Sequence, residues 1–252
     1  MTLHSFPQQR VQLYGASNLW LSRRAALAAV RRRFDGPIEI GLACGPGRSY
    51  GLRAGNPLVS YRPLREVDFP APSPLPTLAL LSDIGNDIAY AQRPDTTLGW
   101  VTELADRLEG QGTEVVLTGV PVESLRGLPR WLFVVLRTLY YAGQTVTQGD
   151  IMQRLTDLEG GLEGLARERG YLYLPTDPEW YGFDRFHLRT AHHAACWESW
   201  MERLRPDLGF QGSPTWRSLW RMRPSDYWYR GKQTQALGEY HDVLQQTRLW
   251  VR

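Results

Sequence analysis

Short apolar runs alternate with amphipathic segments along the first two hundred residues. The first run, VQLYG at 11–15, is followed by LWLSRRAALAAVRRRF at 19–34. In the second segment apolar residues recur at helical spacing, and arginines occupy the opposite face. This pattern predicts a buried strand and then an amphipathic helix packed against it.

Four more apolar runs repeat this plan. They are IEIGLAC at 38–44, TLALLSDIGND at 77–87, TEVVLTGVP at 113–121 and YLYLP at 171–175. Their apolar residues are nearly continuous rather than alternating, which indicates strands covered on both faces, as in a parallel sheet between helices. The pattern therefore predicts an α/β fold with a five-stranded parallel sheet.

Two segments fall outside this plan. Residues 61–77 are rich in proline and are expected to wrap the surface, because proline interrupts regular structure. Beyond Pro206 tryptophan, tyrosine and arginine become frequent. We expect residues 207–252 to form a C-terminal extension that packs on a core domain of residues 1–206 and ends in a helix. The alternative for this aromatic and basic segment is contact with nucleic acid or anionic lipid.

Composition and charge exclude several classes of protein. A chain of 252 residues suits one α/β domain with an appendage, and its formal net charge of +3 is too small to indicate a nucleic-acid binder. We expect no secretion signal, because the first residues lack a basic stretch followed by an apolar one, and the most apolar run, at 131–141, is interrupted by Arg137. That run is also too short to cross a bilayer. We therefore expect a cytoplasmic protein without a transmembrane segment.

The two cysteines, Cys44 and Cys196, are far apart in the sequence and belong to no metal-binding spacing. Buried free thiols are the expected state of both, since unpaired cysteine is among the most buried residue types. We expect neither a metal nor another cofactor. The sequence carries no signal of an oligomeric state.

Polar or glycine-rich segments follow four of the predicted strands. These segments are GASN, GPGRSYG, SDIGND and DPEWYGFDRFH. Because the carboxyl ends of parallel strands meet at one edge of a sheet, we expect the four loops to converge there. They bring Ser17, Asn86, Asp184 and His187 to that edge.

These residue types are the parts of an acyl-transfer site. A serine hydroxyl becomes a good nucleophile when a base removes its proton, and His187 can do so while Asp184 orients its ring. Backbone N–H groups and the Asn86 amide can stabilise an oxyanion. Taken singly, Ser17 also suits a helix N-cap and Asn86 suits a turn.

Four blocks in this order resemble the SGNH or GDSL-type hydrolases, over residues 10–205. YGASN resembles the nucleophile block, GPGRSYG the glycine block, IGND the G-x-N-D block and DRFH the D-x-x-H block. The resemblance implies a flavodoxin-like three-layer α/β/α sandwich with strand order 2-1-3-4-5. Ala16 departs from the family, which usually has the Asp of its name before the serine.

The resemblance also implies a role for each site residue. It makes Ser17 the nucleophile, His187 the base and Asp184 the orienting acid. The oxyanion donors would be Ser17, Gly51 and Asn86, with Gly47 and then Gly45 as alternatives to Gly51. Trp180 and Tyr181, just before the acid and the base, are expected to line the pocket.

The function implied is hydrolysis of a small carboxylic ester through an acyl-enzyme on Ser17. Short acyl groups such as acetyl are expected, because no lid like that of a lipase is apparent. A thioesterase or an acyltransferase would use the same residues. The alternative of another class is a non-catalytic module that binds a small ligand or a partner with the same four loops.

Overall fold

A computed structural model gives the structure of the chain. It describes residues 9–34, 38–56, 59–69, 75–140, 147–207, 227–229, 232–234, 238–242 and 247–251. The strands are β1 (Gln9–Tyr14), β2 (Ile38–Ala43), β3 (Ala54–Asn56), β4 (Val59–Tyr61), β5 (Thr77–Leu81), β6 (Thr113–Thr118), β7 (Leu172–Leu174), β8 (Tyr227–Tyr229), β9 (Lys232–Thr234), β10 (Gly238–Asp242) and β11 (Thr247–Val251). The helices are α1 (Ser17–Arg33), α2 (Asn86–Ala89), α3 (Pro94–Glu109), α4 (Val122–Arg126), α5 (Arg130–Tyr140), α6 (Gln148–Arg169) and α7 (His193–Leu204).

Five of the strands form the parallel sheet that the apolar runs predict. They lie in the order β2-β1-β5-β6-β7, and every neighbouring pair is parallel. Counted along the chain, this is the order 2-1-3-4-5, so the predicted α/β class and strand order are confirmed.

Apolar side chains cover both faces of this sheet. One buried cluster joins the strands to α1 and α7, and a second joins them to α3 and α6. The structure is therefore a three-layer sandwich, and continuous burial along β1, β2 and β5 explains their nearly uninterrupted apolar sequences.

The C-terminal segment departs from the prediction. Residues 247–251 are the strand β11, which pairs in parallel with β2, and β10 pairs antiparallel with β11. The expected terminal helix is therefore wrong. Without β11 the strand β2 would be an edge with open backbone groups, and the pairing satisfies them.

The described strands of the extension belong to two sheets. β10 and β11 widen the main sheet to seven strands, and β8 and β9 join β3 and β4 in a four-stranded sheet, counting the described residues. The extension thus pairs with strands of the preceding 206 residues. A domain boundary at residue 206 stays a prediction.

Several smaller expectations concern exposure. Cys44 and Cys196 are both buried and free, as expected. In α5 Leu132 and Phe133 are buried, whereas Trp131 faces solvent with 61% of its surface exposed. No helix in the described part of the chain combines the length and apolarity needed to cross a bilayer.

A buried ion pair holds β1 to β2 and yields a stability prediction. Arg10 and Glu39 are register partners, and their side chains lie 3.1 Å apart with 9% and 4% exposed. Glu39→Gln should lower the free energy of unfolding by about 3 kcal/mol in urea denaturation, because Arg10 keeps a buried charge without its carboxylate.

Glu114→Gln is the matched control, since Glu114 is an exposed residue of the same sheet. It should change the unfolding free energy by no more than about 0.5 kcal/mol. Equal losses in the two variants would contradict a special contribution of the buried pair.

Candidate active site

The turn between β1 and α1 presents the Ser17 hydroxyl at the carboxyl edge of the sheet. A Cβ atom at Gly15 would lie 2.5 Å from Ser82 Oγ and 2.8 Å from Leu19 Cβ, so only glycine fits there. The Gly15 N–H donates to the Ala43 carbonyl at 3.0 Å, which ties the turn to the end of β2. Ser17 is then the first residue of α1.

The loop of residues 182–188, called here the histidine loop, lies against this turn. Ser17 Oγ and His187 Nε2 are 3.1 Å apart, and His187 Nδ1 and Asp184 Oδ2 are 2.6 Å apart. The backbone N–H groups of Phe186 and His187 donate to Asp184 Oδ1 at 3.1 and 2.9 Å. Three residues predicted to act together thus form one continuous hydrogen-bonded series.

The charge on Asp184 determines which nitrogen of His187 carries the proton. Burial opposes ionisation, but hydrogen bonds from the His187 ring and from the two backbone N–H groups outweigh it and lower the pKa of Asp184. An ionised carboxylate only accepts hydrogen bonds, so the neutral imidazole carries its proton on Nδ1. The Nε2 atom is then an acceptor that faces the serine hydroxyl.

Asn86 lies at the same edge, at the start of α2. Its side chain is buried, and Nδ2 donates to the Arg48 carbonyl at 2.8 Å. Arg48 belongs to the segment of residues 45–51, called here the glycine loop. Gly47, the residue before Arg48, has a left-handed φ of +70°, and its carbonyl accepts a 2.6 Å hydrogen bond from Tyr90 Oη. Within the glycine loop Asn86 therefore contacts Arg48, the residue that follows Gly47.

Gly51 faces a different neighbour. Its N–H donates to Ser49 Oγ at 3.1 Å, and a Cβ at this position would lie 1.9 Å from the Trp100 ring. Close packing on Trp100 explains why glycine is required at position 51. The assignment of Gly51 as an oxyanion donor stays a prediction.

Asp87 holds the glycine loop in place by two hydrogen bonds. Its carboxylate accepts from Ser49 Oγ and, at 2.9 Å, from the Tyr50 N–H. Burial raises the pKa of Asp87 to about 6, although both hydrogen bonds favour the ionised form. Asp87 therefore stabilises the glycine loop rather than facing His187.

A small pocket opens beside Ser17, with a volume of about 30 Å³. Asn86 and Tyr181 line it, together with the apolar side chains of Ile84, Val120, Leu188 and Trp200. Trp180 lies behind this wall and packs edge-on against Trp200, with ring centroids 5.9 Å apart. Of the two aromatic residues predicted for the wall, Tyr181 thus contacts the pocket directly, and Trp180 supports a residue that does.

Asn18 has a role that the sequence did not reveal. Its Nδ2 donates to the Phe186 carbonyl at 3.2 Å, and its Oδ1 accepts from the Leu188 N–H at 2.8 Å. These bonds hold both neighbours of His187 against the first turn of α1. The only sequence signal was an Asx residue at a helix start, which more often indicates a cap.

Asp83 is the second such residue. It follows β5 with a left-handed φ of 58°, and its Oδ2 accepts from the N–H groups of Ala16 at 2.7 Å and Leu19 at 3.0 Å. The sequence placed it in a polar loop after a strand but gave no sign of its partners.

Comparison with known proteins shows likeness at the level of structure. No protein-family model and no curated sequence matches the chain. A GDSL-like lipase from Bacteroides thetaiotaomicron VPI-5482 is 16% identical, with a TM-score of 0.50 over 79% of this chain and 88% of that one.

Two further structures come from Sinorhizobium meliloti. A carbohydrate acetylesterase family member is 14% identical, with a TM-score of 0.52 over 80% of this chain and 100% of that one. Est24, a carbohydrate acetylesterase, is 15% identical, with a TM-score of 0.52 over 79% of this chain and 100% of that one. The chain has the SGNH/GDSL hydrolase fold that its four blocks implied.

The clamp made by Asn18 yields a prediction about the histidine loop. Asn18→Ala removes both hydrogen bonds, so the Leu188 amide should exchange with deuterium about five to ten times faster. Asn18→Asp keeps an oxygen that accepts from Leu188 but can donate neither to the Phe186 carbonyl nor to Asp83, so in this variant the Leu188 amide should exchange at an intermediate rate. Exchange mass spectrometry of peptides covering 182–190 makes the measurement. Equal exchange in the wild type and Asn18→Ala would contradict the clamp.

Proposed function

We propose that this chain is a serine hydrolase that cleaves carboxylic esters through an acyl-enzyme on Ser17. The observation that carries the proposal is the series from Ser17 Oγ through His187 to Asp184, with separations of 3.1 and 2.6 Å. Structures described as a lipase and as acetylesterases share the fold, which agrees with this chemistry.

In the first half-reaction Ser17 Oγ attacks the ester carbonyl carbon while its proton passes to His187 Nε2. Asp184 stabilises the imidazolium that forms. The tetrahedral intermediate then collapses, and the carbon–oxygen bond to the alcohol breaks as His187 returns the proton to the leaving oxygen. The acyl group remains on Ser17.

In the second half-reaction water replaces the alcohol. His187 removes a proton from the water, whose oxygen bonds to the acyl carbon. When this second intermediate collapses, the bond between the acyl carbon and Ser17 Oγ breaks and His187 returns the proton to Oγ, which releases the carboxylic acid and restores the Ser17 hydroxyl. The groups that move protons all belong to the chain, so the proposed chemistry calls on no cofactor.

The oxyanion formed in both steps needs hydrogen-bond donors. The Ser17 N–H and the Asn86 amide are two, and each such donor typically contributes about 3 kcal/mol to transition-state stabilisation. For the third we favour Gly47 over Gly51, because Gly47 adjoins the Asn86 partner Arg48. The Gly51 N–H is directed to Ser49 Oγ instead.

Short acyl groups are the proposed substrates. A pocket of about 30 Å³ has room for about two water-sized groups. That space suits the methyl of an acetyl group. Small acetyl esters are therefore the substrate class that the pocket supports best.

The nucleophile is tested by labelling and substitution. A fluorophosphonate probe should label Ser17 in the wild type, and Ser17→Ala should lower turnover of p-nitrophenyl acetate at least about 10³-fold. Ser22→Ala, one turn further along α1, is the matched control and should remain labelled. Turnover retained in Ser17→Ala would reject the nucleophile, and an unlabelled wild type would favour the non-catalytic binding module.

The acyl pocket is tested by chain length. With p-nitrophenyl esters, kcat/KM should fall about tenfold or more for each methylene added beyond acetyl. Val120→Ala should restore about tenfold for propionyl and butyryl esters, because Val120 lines the pocket.

Val101→Ala is the matched control for that change. Val101 is fully buried in α3, among the core residues that also include Val120. This control should lose stability without altering the chain-length profile. Equal preference of the wild type for long and short chains would contradict a pocket that limits the acyl group.

A further inference from the structure

Helix α1 starts without a cap of its own. Ala16 occupies the N-cap position and has no side-chain oxygen, and the first turn contains no acidic residue. The first N–H groups of a helix have no partner within the helix, so they normally require a side chain from the N-cap or water. Something else must satisfy them here.

Asp83 satisfies two of them from another part of the chain. Its Oδ2 accepts from the N–H of Ala16, the N-cap, and from the N–H of Leu19, the third helical residue. These are the two donors that a capping box satisfies with two side chains of its own helix. In this protein one carboxylate, 64 to 67 residues away, serves both.

This arrangement has a consequence for Ser17. Ser17 is the first helical residue, directly after the N-cap Ala16, so its position follows from that of the turn which Asp83 holds. Its hydroxyl faces His187 Nε2 at 3.1 Å. The backbone N–H groups of Ser17 and Asn18 also remain directed out of the helix end.

Asp83 is coupled to His187 by charge as well. The groups electrostatically coupled to Asp83 are His187, Cys44, Tyr50, Tyr181 and Cys196. Burial raises the pKa of Cys44 to about 12 and raises the pKa values of the other cysteine and both tyrosines, with Asp83 adding to each.

The surroundings of Asp83 act on its pKa in both directions. Burial raises the pKa of its carboxyl, while the N–H groups of Leu19 and Ala16 and the Asn18 side chain lower it, as does the charge of His187. Burial prevails and the pKa of Asp83 lies above its ordinary value, although each of these hydrogen bonds by itself favours the ionised form. That form is the one that can stabilise an imidazolium.

We propose that Asp83 is a positioning residue of this hydrolase, a cap supplied from the end of β5 that holds the start of α1, and with it the Ser17 hydroxyl, against His187 and stabilises the protonated ring. It supplies a carboxylate to a helix start whose own N-cap, Ala16, has none. The inference rests on the proposed function for its catalytic part. Its structural part, the capping of Ala16 and Leu19, stands independently.

The test compares Asp83→Ala and Asp83→Asn with Asp150→Asn. Asp83→Ala removes the cap and the charge, so the Ala16 and Leu19 amides should exchange faster. Fluorophosphonate labelling should slow about tenfold or more, with KM for p-nitrophenyl acetate unchanged. Asp83→Asn keeps an acceptor oxygen but loses the charge, so the midpoint of its pH–rate profile should shift to lower pH by about half a unit or more.

Asp150→Asn is the matched control, because Asp150 is a carboxylate that caps a helix start, that of α6, and belongs to no part of the candidate site. It should leave the pH midpoint and the Ala16 and Leu19 amides at their wild-type values. An unchanged midpoint in Asp83→Asn, or unchanged exchange in Asp83→Ala, would overturn the proposal. If Asp83→Ala does not fold, the midpoint of the pH–rate profile of Asp83→Asn alone tests the proposal.

Failure of the proposed function gives a different result. If the wild type is neither labelled by the fluorophosphonate nor able to hydrolyse an ester, the proposed hydrolase function is rejected. Deuterium exchange of the Ala16 and Leu19 amides still tests the capping by Asp83 in that case. Labelling in the wild type with no effect in either Asp83 variant would reject the positioning role and leave the hydrolase intact.

Discussion

Burial of both faces of the main sheet is the constraint on which the candidate site depends. Apolar side chains from α1 and α7 cover one face, and those from α3 and α6 cover the other. Polar groups that must meet a substrate are therefore confined to the carboxyl ends of the strands. β1 lies between β2 and β5, so the loops after all three strands converge where Ser17 begins its helix.

At that point the start of α1 has no cap of its own, and a helix start without a cap leaves backbone donors unsatisfied. Other segments of the chain supply what is missing. Asp83 accepts from the backbone donors, and Asn18 holds the histidine loop, so the Ser17 hydroxyl lies 3.1 Å from His187 Nε2.

The sequence was most informative where structure is local and least informative where it depends on distant contacts. Continuous apolar runs predicted the five parallel strands, and the order of four short blocks predicted that Ser17 and His187 would meet. The end of the chain was missed because β11 is stabilised by pairing with β2, two hundred residues earlier in the sequence. Asp83 was missed for the same reason, since its partners are the N–H groups of α1.

Backbone conformation shows how firmly these distant contacts are imposed. Asp83 and Arg185 both have left-handed φ angles, of 58° and 60°, which non-glycine residues adopt at an energetic cost. Each adjoins the site: the first carries the carboxylate that binds α1, and the second lies between Asp184 and His187. A strained residue persists when its surroundings determine it, and here hydrogen bonds to Ala16, Leu19, Phe186 and His187 do so. The strain is therefore tied to the contacts that set the distance between the Ser17 hydroxyl and the His187 imidazole.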